Sequence, residues 1–259
     1  MKVLHIWEIS GVASTLQKHL APLGVDCKVM CSDKGDPYGF AANHINHSKP
    51  VTAAIIAAEA RKYDVLHIHF HDEFLPLLRG LYPSKPMVMH YHGSDIRGRD
   101  RAKYLRHADA ILYSTRDLAE YLPPEAEYFP NPIDTNIFTP AEKRPDHEYA
   151  IHFSYEADDL ATGIAEKRNI PIIIIKQKIP HSEMPALLRN YTHLIEVKRK
   201  NGHLIMGHVN DTGSLLSLEA LACGLSVLCL DGERVGLPPE HRASVAAERA
   251  AQLYEEITK

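Results

Sequence analysis

The sequence has no run of about 20 apolar residues, so nothing in it is expected to span a membrane. Cysteine is sparse: Cys27, Cys31, Cys223 and Cys229 sit in or beside apolar runs, and no pair has zinc-site spacing. They read as reduced core thiols of a cytosolic protein. Positive charge is not in excess. A net charge of -4 gives no sign of a nucleic-acid partner, and Lys198-Arg199-Lys200 is too short a basic cluster to act as a tail. There is no Asp-x-Asp, no repeat of solenoid period and no low-complexity tract. Met1-Lys-Val-Leu-His-Ile-Trp7 runs straight into a strand pattern, which argues against a signal peptide.

What is present is an ordinary globular composition, 45% apolar and 24% charged over 259 residues, enough for one large or two modest domains. The first half alternates predicted strands (Val3–Trp7, Val25–Cys31, Asp64–Phe70, Met87–His92, Ala108–Ser114, Glu127–Phe129) with predicted helices (Ser10–Leu20, Val51–Lys62, Phe74–Leu81, Arg97–His107, Thr115–Leu122). A turn-rich connector follows, Pro130-Asn-Pro-Ile-Asp134-Thr-Asn-Ile-Phe138-Thr-Pro140. A second alternating set then runs through Tyr149–Phe153, Asp158–Lys167, Ile172–Ile175, Ser182–Asn190 and His193–Val197. It ends in a helix–strand pair after Gly213 and a helix over Ser244–Ile257. Repeated strand–helix units imply parallel sheets covered on both faces, with ligands at the carboxyl ends of the strands.

The most informative stretch is Gly213-Ser-Leu-Leu-Ser-Leu-Glu219-Ala-Leu-Ala-Cys-Gly224, a helix closed by glycine and followed by the apolar strand Leu225–Leu230. Glu219 lies in the middle of an apolar helix that belongs in a core, where a carboxylate needs a reason. Asp211 precedes it by eight residues. The amides at Gly213, Ser214 and Leu215 open the helix and can take a phosphate, while the two acids can take sugar hydroxyls.

Two further strand ends carry chemistry. Glu8-Ile-Ser-Gly11 allows a tight turn into a helix. His90-Tyr-His92-Gly93-Ser94-Asp95 puts a histidine at a cleft mouth, with Arg97 and Arg99 after it. In His67-Ile-His69-Phe-His71, strand alternation predicts three imidazoles on one face, which could hold zinc.

These segments together resemble glycosyltransferase family 4, retaining enzymes of the GT-B fold. The family's Glu-x7-Glu is matched by Asp211-x7-Glu219, with the first acid one methylene short. The family's His-Gly-Ser-Asp strand end, its Asn-Pro-x-Asp connector and its Ile-Pro-His helix start correspond to His92–Asp95, Asn131–Asp134 and Ile179–His181. The resemblance implies two Rossmann-like domains facing a cleft. The expected divisions are an acceptor domain over 1–129, a linker over 130–142, a reduced nucleotide-sugar domain over 143–243, and a helix over 244–259 crossing back to the first domain.

The resemblance also implies roles. Glu219 would bind the ribose hydroxyls, Asp211 would face the donor sugar, and His92 would contact the transferred sugar. Gly11, Gly213, Ser214 and Leu215 would approach the donor, and His69, His71 and Arg97 would lie on the acceptor side. The family's Gly-Arg-Leu…Lys-Gly segment is missing, so Lys198 and Arg199, at a strand end before the donor loop, are the preferred partners of the diphosphate over Lys176, Lys178 and Lys200.

The implied activity is transfer of a sugar from a nucleotide diphosphate sugar to a hydroxyl acceptor, with retention and without a metal or other cofactor. The acceptor could be a sugar, a lipid-linked sugar or a small molecule. No nucleic acid is expected, and a cytoplasmic location leaves peripheral membrane contact open. Two other classes stay open: a non-catalytic nucleotide-sugar-binding protein, and a metal-dependent hydrolase built on His67, His69 and His71.

Overall fold

The computed structural model describes all residues except 34, 35, 37, 38, 42, 144, 155, 201, 202 and 205–213, together with the backbone alone of 199, 200, 203 and 204. The chain divides into two units. The first comprises Met1–Pro132 with Ala243–Lys259, and the second, smaller one comprises Ile133–Arg242.

The first unit holds a seven-stranded sheet of β1 (Lys2–Ile6), β2 (Asp26–Cys31), β3 (Asn43–His44), β4 (Val65–His69), β5 (Met87–Tyr91), β6 (Ala110–Tyr113) and β7 (Glu127–Tyr128). Every pairing is parallel, in the order β3-β2-β1-β4-β5-β6-β7. The order reverses between β1 and β4, and a crevice opens at the carboxyl ends of such a pair. Its helices are α1 (Val12–Leu20), α2 (Lys49–Ala60), α3 (Phe74–Leu81) and the single turn α4 (Ala102–Leu105).

Strand alternation sends Leu4, Ile6, Leu66, Ile68, Met87 and Met89 to one face, against Ile56, Leu75 and Leu78. Val3, Val65, Val88 and Leu112 face the other side, under Leu16 and Leu20 of α1 and the C-terminal helix Ala243–Ile257. That helix presents Ala246, Ala250 and Tyr254 at four-residue spacing, with Ala247 beside them. The alanines let its backbone approach the sheet, and Tyr254 is the large side chain that it buries fully.

The second unit holds β8 (Ala150–Phe153), β9 (Ile172–Ile175), β10 (His193–Ile195), the hairpin β11 (Arg199–Lys200) and β12 (His203–Leu204), then β13 (Ser226–Cys229) and β14 (Gly232–Val235). Its main sheet runs β14-β13-β10-β8-β9, parallel except for β14. Helix α5 (Asp158–Arg168) begins on two aspartates and ends on Lys167 and Arg168, with Asn169 in the left-handed region as its C-cap, a charge arrangement that suits the helix dipole. After α6 (Met184–Leu188), helix α7 (Leu215–Ala222) is buried along Ser217–Ala222. Both units are thus Rossmann-like α/β layers. No described helix is long and apolar enough to cross a membrane.

Two sequence expectations are corrected. The helix expected over Arg97–His107 shrinks to Ala102–Leu105, because Gly98 adopts a left-handed φ of 67° just after Arg97. The helix expected from Thr115 is a 3-10 turn, Arg116–Tyr121. The segment after β13 forms the antiparallel edge strand β14. Its exposed Glu233 pairs with Arg168, and charge on an edge discourages pairing with another chain.

Candidate functional sites

In the first unit, strand register brings five histidines into one layer. His5 pairs with His67 across β1 and β4, and His69 pairs with His90 across β4 and β5, so all four share the face under α1 and the C-terminal helix. All four are fully buried. His92, just past β5, is half-buried and extends the layer. His5 Nδ1 lies 3.0 Å from His69 Nε2, and His69 Nδ1 lies 3.1 Å from His92 Nε2. Ser114 Oγ is 2.9 Å from both His92 Nδ1 and His90 Nε2. A neutral imidazole donates once and accepts once, so this chain of contacts is consistent in a single direction. His67 joins from the side, its Nδ1 2.6 Å from the Tyr254 hydroxyl.

Burial holds these rings neutral. It takes His5 down to about 3, and His92 to about 3 against an opposing hydrogen bond from Asn131. His67, His69 and His90 fall well below the ordinary imidazole range, first through burial and then through neighbouring imidazoles.

The strand reading of His67, His69 and His71 on one face is corrected. β4 ends at His69, and Phe70 takes a positive φ of 67°, which breaks the alternation. His71 turns away to Glu73, its Nδ1 2.9 Å from Oε1, and packs edge-on against Trp7. Both line a cavity of about 800 Å³ with Phe74 and Leu77. Trp7 and Ser10 also have positive φ. Three left-handed residues other than glycine therefore stand at the carboxyl ends of β1 and β4, where such strain is often tied to function.

The turn after β1 is held by a residue that sequence reasoning passed over. Glu8, fully buried, accepts from the Ala13 and Ser14 amides at 3.2 and 2.8 Å and from the Ser14 hydroxyl at 2.6 Å. Those amides lie in the first turn of α1, so the protein's own carboxylate takes the place there that a phosphate could occupy. Burial raises the Glu8 carboxyl against these hydrogen bonds. Gly11 lies in this turn under the Phe40 ring.

Asp95 likewise shapes the turn after β5, accepting from Gly93 N at 2.6 Å and His92 N at 2.9 Å. Arg97 is held by Asp117 at 2.8 Å and by Thr115. A Cβ on Gly93 would stand 2.5 Å from the Arg97 guanidinium, so any other residue there would have to push Arg97 aside and take a strained φ of 140°.

In the second unit the sequence motifs converge. Glu219 on α7 is 5% exposed, and its Oε1 lies 2.6 Å from His181 Nε2. The His181 ring packs at 5.3 Å on Phe138 of the connector. Gly224, left-handed with φ 86°, closes against Pro140, 3.3 Å from where a Cβ would sit. Arg189 binds the Ile137 and Thr139 carbonyls and the Thr139 hydroxyl, fixing the connector further. Burial raises the Glu219 carboxyl, and His181 opposes the rise.

Ser214 caps α7 by accepting from Ser217 N, and Leu215 is the first helical residue. Lys198 stands just past β10, its Nζ 2.8 Å from Glu196 Oε1. Asp211, Gly213 and the Arg199 side chain lie outside the described residues.

No family model matches the sequence, and no curated protein does. Among solved structures, UDP-GlcNAc 2-epimerase from Methanocaldococcus jannaschii is 10% identical and aligns 99% of this chain with 100% of its own, at a TM-score of 0.58. MurG of Acinetobacter baumannii is 12% identical over 97% of this chain and 84% of its own, at 0.47. The glycosyltransferase SsfS6 of Streptomyces sp. SF2575 is 11% identical over 99% and 86%, at 0.46. The likeness to the epimerase is one of fold, and the fold class is a GT-B-like α/β chain of two Rossmann-like units with the second reduced.

Proposed function

We propose that the chain is a glycosyltransferase that moves a sugar from a nucleotide diphosphate sugar to a hydroxyl acceptor, with retention of configuration and without a metal at the diphosphate. The observation that carries this reading is the buried Glu219 on the serine-capped helix α7, held by His181, where three separate motif segments meet. A buried acid with one partner and a second lone pair can accept from a ribose hydroxyl. The fold likeness supports it too, since the similar epimerase is named for a nucleotide sugar.

In this reading Asp211 faces the donor sugar, Lys198 and Arg199 meet the diphosphate, and the amides at Gly213, Ser214 and Leu215 approach it. His92 contacts the transferred sugar, through Nε2 or Nδ1 once a neighbour is released. The acceptor enters beside Trp7 and His71, whose cavity has an apolar wall of Phe74 and Leu77 suited to a partly apolar molecule. Transfer then rests on positioning and on stabilising the leaving diphosphate.

The likeness to an epimerase favours a second reading, in which the nucleotide sugar is bound and rearranged and not transferred. Thermal shift against UDP, GDP, ADP and TDP and their sugars, with chelator present, tests nucleotide binding. Glu219→Ala is expected to abolish the shift, whereas His92→Ala keeps the shift and lowers transfer. Nucleotide binding at parental strength in Glu219→Ala would overturn the site. Isomerised donor without released nucleoside diphosphate would favour the second reading.

A further inference from the structure

We propose that His5, His67 and His69 form a binding site for a divalent transition-metal ion of the zinc class, inside the first unit. The rings come from β1 and β4, the pair at which the strand order reverses. One ring nitrogen of each lies within 4.8 Å of one from each of the others. The closest contact, His5 Nδ1 to His69 Nε2 at 3.0 Å, approaches the separation of about 3.3 Å that two nitrogens take on a tetrahedral zinc.

His67 carries the argument furthest. Its Nδ1 is engaged by the Tyr254 hydroxyl, and its Nε2 is buried with no hydrogen-bond partner. A buried polar atom left unpaired carries an uncompensated desolvation cost, which a ligand would recover. An imidazole whose far nitrogen is fixed by a hydrogen bond is also how proteins orient a metal ligand.

The donor set selects the ion. Three imidazoles and no carboxylate suit zinc, copper or nickel and do not suit calcium or magnesium. His69, His90 and His92 form a second group that shares His69, so one ion uses one group. The first group is favoured because two of its members, His5 and His67, each keep a buried Nε2 with no hydrogen-bond partner, whereas in the second group only His90 keeps such a nitrogen. The site lies within the first unit alone and does not depend on the transferase reading. It differs from the trio read from the sequence, with His5 in place of His71.

The test uses the full chain expressed with added zinc, purified without chelator and analysed for metal, and the same chain refolded with Co2+ to read ligation from visible absorption. The expected result is about one metal per chain, nitrogen-ligated cobalt, and a melting temperature lowered by chelator and restored by zinc. His5→Gln and His67→Gln should lose the metal, while His90→Gln keeps it. Tyr254→Phe should weaken affinity by about 10- to 100-fold. If the glutamine variants do not fold by circular dichroism, Tyr254→Phe and the parent's cobalt spectrum decide. A parent that takes no metal by either route overturns the proposal. So does full metal retention in folded His67→Gln, or loss of metal in His90→Gln with retention in His5→Gln.

Discussion

Glu219 Oε1 stands 2.6 Å from His181 Nε2, so the buried acid of α7 is held by a residue from a different segment, the turn before α6. His181→Ala would leave that carboxylate buried without its partner, at a cost of about 1–3 kcal/mol. The expected outcome is a lower urea midpoint together with weaker nucleotide binding. Unchanged values of both would show that the contact does not organise the site.

The same acid sets a pH dependence. Its carboxyl is raised by burial, so in the window above the ordinary carboxylate range the folded chain keeps a proton that the unfolded chain has lost. Glu219 therefore contributes stability at low pH that is lost as pH rises through its folded-state value. Glu219→Gln cannot titrate, and the gap in unfolding free energy between variant and parent should shift in the variant's favour on going from pH 4 to pH 8. A pH-independent gap would contradict the raised carboxyl.

The histidine layer has the opposite sign. His5, His67, His69 and His90 are buried and held neutral, so below the ordinary imidazole range the unfolded chain binds protons that the folded chain refuses. Each such ring removes about 1.4 kcal/mol per pH unit of acidification below about 6.5. Four together reach at most about 6 kcal/mol per unit, against a typical stability of about 5–15 kcal/mol. Chelator-treated protein should lose stability steeply and progressively as pH falls below about 6.5. Urea melts at several pH values measure the slope, and a flat profile down to pH 4.5 would refute the neutral layer.

Glu8→Ala would strip the acceptor from the Ala13 and Ser14 amides and the Ser14 hydroxyl at the start of α1. A loss of about 1–3 kcal/mol is expected. If the parent's carboxylate also screens this helix start from anions, the variant should be stabilised by phosphate more than the parent is. Melting temperatures with and without phosphate report both effects.

Gly93→Ala would displace Arg97 from Asp117 and Thr115, besides straining a left-handed φ of 140°. Destabilisation of roughly 1–3 kcal/mol is expected, by urea unfolding. A neutral result would mean that Arg97 can swing aside freely.

Most elements were legible in the sequence because apolar periodicity carries them: α3 and β9 fall where expected, residue for residue. Periodicity fails where one backbone angle changes the rule. Phe70 turned His71 out of the histidine layer, and Gly98 stopped a helix, and neither is written in hydrophobicity. Glu219 was legible because a charge inside an apolar helix is conspicuous. Its partner His181 was not, since pairing over 38 residues is a property of packing. Glu8 could have been found: an acid before a Ser-Gly turn into a helix is a capping signal. His5 could not, because its place beside His67 depends on the sheet order.

The bond between His67 and Tyr254 spans 187 residues, and every residue of the second unit lies between them in the chain. During synthesis the sheet of the first unit therefore waits, one face covered only in part by α1, while Ile133–Arg242 emerges and closes on itself, with Ile133 N donating to the His241 carbonyl at 2.7 Å. The helix that seals the histidine face arrives after that. The smaller unit can fold first although it comes second, and the larger one is completed by a segment delivered through it.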